Sequence, residues 1–169
     1  GLCMNRSIPT IIIIIGILRA GAAYAPMDPS SPSERILQTV QRADIQHLVT
    51  QENLLDKFKD IKATLITPKH FEHAKSPKDW QKDTNIDVSR PAYFMFTSGS
   101  TGVPKGVIHG HGAVSLSLLE CIEELQIGTS TRFMQSASLA FDASILEVFA
   151  PLAAGGCLCM VSQEERNGD

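Results

Sequence analysis

Strand-like and helix-like patterns take turns along almost the whole chain. That alternation constrains the fold more than any single motif. It argues for an α/β architecture with a largely parallel sheet flanked by helices. "RSIPTIIIIIGILRAGAAYA" predicts a helix from Ser7 to about Ala20, ended by Gly21. "AYAPMDP" is then a short extended piece broken by prolines. Ser31, Pro32 and Glu34 have the spacing of a helix start, with Ser31 as cap, Pro32 in the first helical position and Glu34 completing a capping box. Ile36, Leu37 and Val40 follow on one face, to about Ala43. "IQHLVT" and "ATLIT" read as strands, with "ENLLDKF" a short helix between them.

The stretch 68–91 is polar, lysine-rich and nearly aperiodic, and reads as a surface excursion with Trp80 as its anchor. The alternation then resumes. "AYFMFT" and "GVIHG" are strands on either side of a glycine- and hydroxyl-rich loop. A helix follows from His111 to about Ile127, with Val114, Leu118, Cys121, Ile122 and Leu125 on one face. "RFMQSA" is a strand. Asp142 to Ala154 is a helix with Ile145, Leu146, Phe149 and Leu152 toward the core, and "CLCMV" closes as a strand.

The chain has 169 residues, about one ordinary domain, and is 43% hydrophobic and 20% charged, as soluble globular proteins are. Its net charge of −3 gives it no global electrostatic reason to bind nucleic acid. The four cysteines, Cys3, Cys121, Cys157 and Cys159, fit no zinc spacing and form no C-x-x-C pair. Cys157 and Cys159 read as buried, reduced thiols of a cytoplasmic protein. The apolar run from Ile8 to Leu18 has the outline of a secretory signal, but "GLC" before it is not a start region. The run is too short for a bilayer, which needs about 20 apolar residues. A buried helix is expected, and no membrane contact. His70 and His73 are expected in solvent, with no third ligand for a metal.

The loop in "FTSGSTGVPKG" has a definite chemistry. Glycines let backbone N–H groups turn together toward an anion, and phosphate is the usual one. Ser98, Ser100 and Thr101 add hydroxyl donors, and Lys105 adds a mobile cation. The competing reading is a mobile solvent loop. It is not a Walker loop: Pro104 stands where the second glycine should be, Lys105 precedes Gly106, and the next element is a strand. "GHGAVS" offers Gly110 and Gly112 but Ser115 in place of the third glycine of a dinucleotide fingerprint.

"YFMFTSGSTGVPKGVIHGH" resembles the phosphate-loop signature of the adenylate-forming enzymes, which comprise peptide-synthetase adenylation domains, acyl-CoA synthetases and luciferases. "GILRAGAAYAPMDPSSPSERI" resembles the adenylation-domain segment before that loop, and "LAFDASILEVFAPLAAGGCLC" the helix segment after it, in wording most like fungal multimodular synthetases. The resemblance covers nearly the whole chain and implies part of the large N-terminal subdomain of an adenylation domain. Residues 94–107 would be the phosphate-binding region and 141–156 the substrate-pocket helix.

The implied reaction joins an amino-acid carboxylate to the α-phosphate of Mg-ATP, releases pyrophosphate, and passes the acyl group to the phosphopantetheine thiol of a carrier domain. Carrier and condensation domains are implied as partners in the same polypeptide. Thr97, Ser98, Gly99, Ser100, Thr101, Gly102 and Lys105 would surround the β- and γ-phosphates. Asp142 would grip the substrate ammonium, with Ala143 and Leu146 lining the side-chain pocket. Asp142 also stands where a helix begins and reads equally as its N-cap, with Ser144 and Glu147 at capping-box spacing. Cap and amine contact are compatible if one oxygen serves each. His109 and His111 are expected to pack or to open a helix rather than catalyse.

The small C-terminal subdomain with the catalytic lysine, and the adenine, ribose and magnesium contacts, are expected outside this chain. The 169 residues alone are therefore expected to be inactive. The alternatives are an adenylate-forming acyl-CoA or aryl-acid ligase, and a non-catalytic nucleotide-binding fragment.

Overall fold

The protein is described by a computed structural model over residues 1–72, 87–97 and 105–161. The first sheet comprises β1 (Leu2–Cys3), β2 (His47–Thr50) and β3 (Thr64–Ile66), all parallel. Alternation along these strands divides the side chains between two faces. Leu2, Met4 and Val49 join one buried cluster, while Cys3 and Leu48 join the other. The first face is covered by α1 (Ile8–Arg19) through Ile11 and Ile14. The second is covered by α2 (Ser33–Arg42) through Ile36 and Val40.

β-Branched isoleucines are indifferent helix formers, so α1 depends on its ends and its packing. Ser7 caps it, accepting from the Thr10 N–H at 3.3 Å, and Gly21 ends it with φ of 74°. Ile8 and Ile12 lie on the outer side, 67% and 63% exposed, so the helix is half-buried rather than buried all round. Among the described residues no helix is long and apolar enough to cross a membrane.

The expected cap of α2 is displaced. Pro32 occupies the cap position, no side chain caps the helix, and Ser31 and Glu34 form no capping box. Proline without an N–H sets the entry geometry by itself, so the start moves one residue along. "ENLLDKF" forms a 3₁₀ helix over Glu52–Phe58, and its Leu54 and Phe58 enter the second cluster.

Residues 24–27 stitch the first sheet to the next strand. Leu2 N–H donates to Ala25 O at 2.9 Å and Met27 N–H to Leu2 O at 2.8 Å. On the other side Tyr24 N–H donates to Ala92 O at 3.2 Å and Phe94 N–H to Tyr24 O at 2.9 Å. These bonds bring in β4 (Pro91–Thr97), whose partner β5 (Lys105–Gly110) is antiparallel. The sheet is therefore mostly parallel with an antiparallel hairpin. Of the expected excursion, a 3₁₀ turn over Pro68–Phe71 is described. Residues 73–86, with His73 and Trp80, lie outside the described residues.

Helix α3 (His111–Glu124) follows β5 and stops earlier than expected. Val114, Leu118, Cys121 and Ile122 are half-buried, but Leu125 is exposed. A separate parallel pair, β6 (Arg132–Gln135) and β7 (Cys157–Met160), is joined by α4 (Ala143–Ala153) as a βαβ unit. α4 buries Ser144, Ile145, Val148 and Pro151, with Leu146 and Phe149 half-buried. Leu152 is 40% exposed, because Pro151 takes the inward place in the last turn. Cys157 is exposed and Cys159 half-buried, which corrects the expectation of two buried thiols. Among the described residues β7 pairs with β6 alone, and its burial rises from an exposed Cys157 to half-buried residues after it.

Candidate functional site

The two strands expected to flank the phosphate loop pair as the antiparallel β4–β5 hairpin. Thr97 closes β4 directly opposite Lys105, which opens β5 and is exposed. The loop residues between them, 98–104, lie outside the described residues, Ser98, Gly99, Ser100, Thr101 and Gly102 among them. The antiparallel ladder fixes the two chain ends of this loop side by side. A strand rather than a helix follows it, as expected.

The segment expected to meet the substrate is held by α4. Asp142 takes the N-cap position with φ −61° and ψ −33°, and its Oδ1 accepts from Ala143 N–H at 2.8 Å. Among the described residues no other donor reaches this carboxylate, and the side chain is exposed. The capping role expected for Asp142 is thus present and uses one oxygen. Ala143 is exposed and Leu146 half-buried. Asp142 and Leu146, four apart, share one side of the helix start.

The expected Ser144–Glu147 capping box does not form. Ser144 Oγ is buried and donates backward, to Phe141 O at 2.6 Å and Leu139 O at 3.3 Å. Glu147 instead reaches the chain that leaves β6. It accepts from Gln135 Nε2 at 3.0 Å, Ser136 N at 3.0 Å, Ser136 Oγ at 2.9 Å and Ala137 N at 2.9 Å. Capping-box spacing alone does not say which backbone a glutamate will reach.

Tyr93 of β4 shares a buried cluster with Ile145 and Val148 of α4, so this strand and this helix pack in one core. Burial, with the Asp142 charge adding to it, raises the Tyr93 phenol above its ordinary value. Tyr93 stacks on His109 of β5, with ring centroids 4.6 Å apart and planes 20° apart. His109 thus packs, and His111 opens α3 with its N–H on Arg90 O at 3.0 Å. His70 is exposed and closes its own turn, its Nδ1 accepting from Thr67 N–H at 3.0 Å. Among the described residues no group of three or more His, Cys, Asp or Glu side chains could hold a metal.

Two more polar residues support the substrate segment. Arg6 donates to Ser136 O at 2.8 Å, and Ser138 Oγ donates to Asp28 Oδ2 at 3.0 Å. Burial alone would raise the Asp28 carboxyl, but hydrogen bonds from Ser30 and Ser138 and the Arg6 charge outweigh it and hold it below its ordinary value. Sequence reasoning passed over Tyr93 and Asp28, and gave Glu147 only a capping-box role. The "MDPSS" turn, where Asp28 Oδ1 accepts from Ser30 N at 2.8 Å, was the one local signal available for Asp28.

Known proteins share the sequence pattern and the fold. The whole chain, residues 1–169, matches the family described as AMP-binding enzyme. It is 38% identical over 172 residues to nonribosomal peptide synthetase 8 of Aspergillus fumigatus, covering 98% of this chain and 2% of that protein. The structure superposes on holo-AB3403, a four-domain nonribosomal peptide synthetase bound to AMP and glycine, with a TM-score of 0.83 and 32% identity, over 100% of this chain and 12% of that one. The fold alone is shared with the N-terminal subdomain of Klebsiella oxytoca NpsA, at a TM-score of 0.82 and 22% identity, over 95% of this chain and 40% of that one. The chain spans between 2% and 7% of the length of the fungal synthetases it matches. With its α/β sheet and a family match over its entire length, the chain belongs to the AMP-binding enzyme family.

Proposed function

We propose that the chain is the phosphate-loop and substrate-pocket part of an adenylation domain that activates an amino acid. A carboxylate oxygen of the substrate attacks the α-phosphorus of Mg-ATP. The bond to the bridging oxygen breaks, pyrophosphate leaves with the electron pair, and an aminoacyl-adenylate forms. The acyl group then passes to the phosphopantetheine thiol of a carrier domain, and a condensation domain is the neighbouring partner. Such chemistry relies on positioning and on neutralising charge. Thr97, Ser98, Gly99, Ser100, Thr101, Gly102 and Lys105 are assigned to the β- and γ-phosphates, with Lys105 countering the departing pyrophosphate. Magnesium arrives with ATP as part of the substrate.

The observation that carries the reading is the state of Asp142. One oxygen caps α4, the side chain is exposed, and its charge acts on Tyr93 of β4. A carboxylate there suits an α-ammonium group, in a charge-assisted contact. Ala143 and Leu146 flank it as an apolar wall. The relative bound to AMP and glycine, which shares the length of this chain, is consistent with such a substrate.

The test is ATP–pyrophosphate exchange by the full-length enzyme over a panel of amino acids and their des-amino analogues. Exchange with one class of amino acids and none with the analogues supports the reading. Exchange that proceeds with aryl, fatty or hydroxy acids moves the enzyme to the general acyl ligases. No exchange with any carboxylic acid leaves a nucleotide-binding fragment.

A further inference from the structure

We infer that Glu147 is a positioning residue for the substrate: it fixes the connection between β6 and α4 and thereby places Asp142. The inference rests on the amine-binding reading of Asp142.

The connection runs over residues 136–142 and is tied at both ends to the same helix. At its C-terminal end Ser144 Oγ holds the carbonyls of Phe141 and Leu139, at 2.6 Å and 3.3 Å. At its N-terminal end both Glu147 oxygens are engaged. Oε1 accepts from Ser136 Oγ at 2.9 Å and Ala137 N at 3.2 Å. Oε2 accepts from Gln135 Nε2 at 3.0 Å, Ser136 N at 3.0 Å and Ala137 N at 2.9 Å. Two successive backbone N–H groups, a hydroxyl and an amide thus converge on one carboxylate. Such charge-assisted bonds are shorter and stronger than neutral ones.

The Asp142 side chain is exposed, and its cap bond goes to the adjacent residue. Its carbonyl accepts from Ile145 N–H of α4 at 2.9 Å, so its position is set jointly by that helix and by the connection that delivers it. Gln135 shows how firmly the other end is set. Its side chain is fully buried, with Nε2 on Ala137 O at 2.6 Å and on Glu147, while its Oε1 has no partner. Turning the amide would point Oε1 at a carbonyl and a carboxylate, so the glutamate dictates its orientation. Glu147→Gln keeps the size of the side chain but presents an NH2 group to a ring of donors. At least one buried donor then loses its acceptor, which is costly. The connection shifts, and Asp142 with it.

The experiment is a double-mutant cycle in the full-length enzyme, with amino-acid and ATP KM values measured by pyrophosphate exchange for wild type, Glu147→Gln, Asp142→Ala and the double variant. Glu147→Gln is expected to raise the amino-acid KM about 10-fold while the ATP KM stays within about twofold, a loss confined to substrate binding. In the Asp142→Ala background the same change is expected to add less than about twofold, because residues acting through one contact are not additive. A Glu147→Gln enzyme with an unchanged amino-acid KM, or one whose effect is undiminished without Asp142, overturns the inference and leaves the amine-binding reading intact. An Asp142→Ala enzyme with an unchanged amino-acid KM overturns that reading and the inference with it. If Glu147→Gln does not fold, Ser136→Ala replaces it in the cycle. It removes one of the donors and is expected to raise the amino-acid KM about threefold under the same criterion.

Discussion

Two thiols of this chain have opposite surroundings. Cys3 is fully buried, and burial pushes its thiol up to about 12, with Lys57 offsetting part of the shift and Asp28 adding to it. Cys157 is exposed at the start of β7. Only a thiolate attacks an alkylating reagent, and a buried thiol is inert. Iodoacetamide at mildly alkaline pH should therefore modify Cys157 in the native protein and Cys3 only after unfolding, as read by peptide mapping. Modification of both at one rate would contradict the described burial. At this scale the sequence was legible where chemistry is local. Asp142 at a helix start and Lys105 beside a glycine loop are visible without a fold. Glu147 was not, because its partners at 135–137 precede the helix and its spacing to Ser144 suggested a capping box. Tyr93 was read only as an apolar strand residue, because Asp142, whose charge acts on it, is remote in sequence.

Elements were more legible than their ends. Helix and strand periods pointed to the α-helices and to every strand but the two-residue β1, since apolar spacing survives packing. The ends depend on single hydrogen bonds, and α2 illustrates this: Pro32 takes the cap and Ser31 does not. The return from α4 to β7 depends on two glycines. Gly155 has φ of 75°, and a Cβ on Gly156 would lie 2.8 Å from Gly128 O and 2.9 Å from Thr131 O. Both contacts are backbone atoms, in the turn before β6, and cannot swing away. Gly156→Ala should therefore cost about 1–3 kcal/mol of stability by overpacking. Gly128→Ala meets nothing within 4 Å and should stay within about 0.5 kcal/mol of wild type. Urea midpoints of the two variants separate them. Equal midpoints would mean that β7 leaves α4 by another path.

Across the whole molecule, the N-terminal layer and the substrate segment are clasped by side chains far apart in sequence. Ser138 donates to Asp28, and Arg6 donates to Ser136 O. Long-range pairs of this kind have no signature in a single sequence, so the fold class was legible but this joint was not. The joint should be acid-labile. Asp28 is held below its ordinary value, so its stabilisation is complete above the unfolded carboxyl value of about 3.9. It is lost as pH falls through the lower folded value. Wild type should thus lose stability on acidification more steeply than Asp28→Asn, which lacks the titrating group. Parallel acid limbs would show that the clasp does not form. The central claim is that this sheet, hairpin and helix start serve to present a carboxylate to an amine beside a phosphate loop. The measurement that tests it most directly is amino-acid-dependent ATP–pyrophosphate exchange by the full-length enzyme, wild type against Asp142→Ala. The account predicts exchange that requires the substrate amine and a fall in amino-acid kcat/KM of about a hundredfold in the variant. Exchange with acids that lack the amine, unharmed by the substitution, would contradict it and leave Asp142 as the cap of α4 alone.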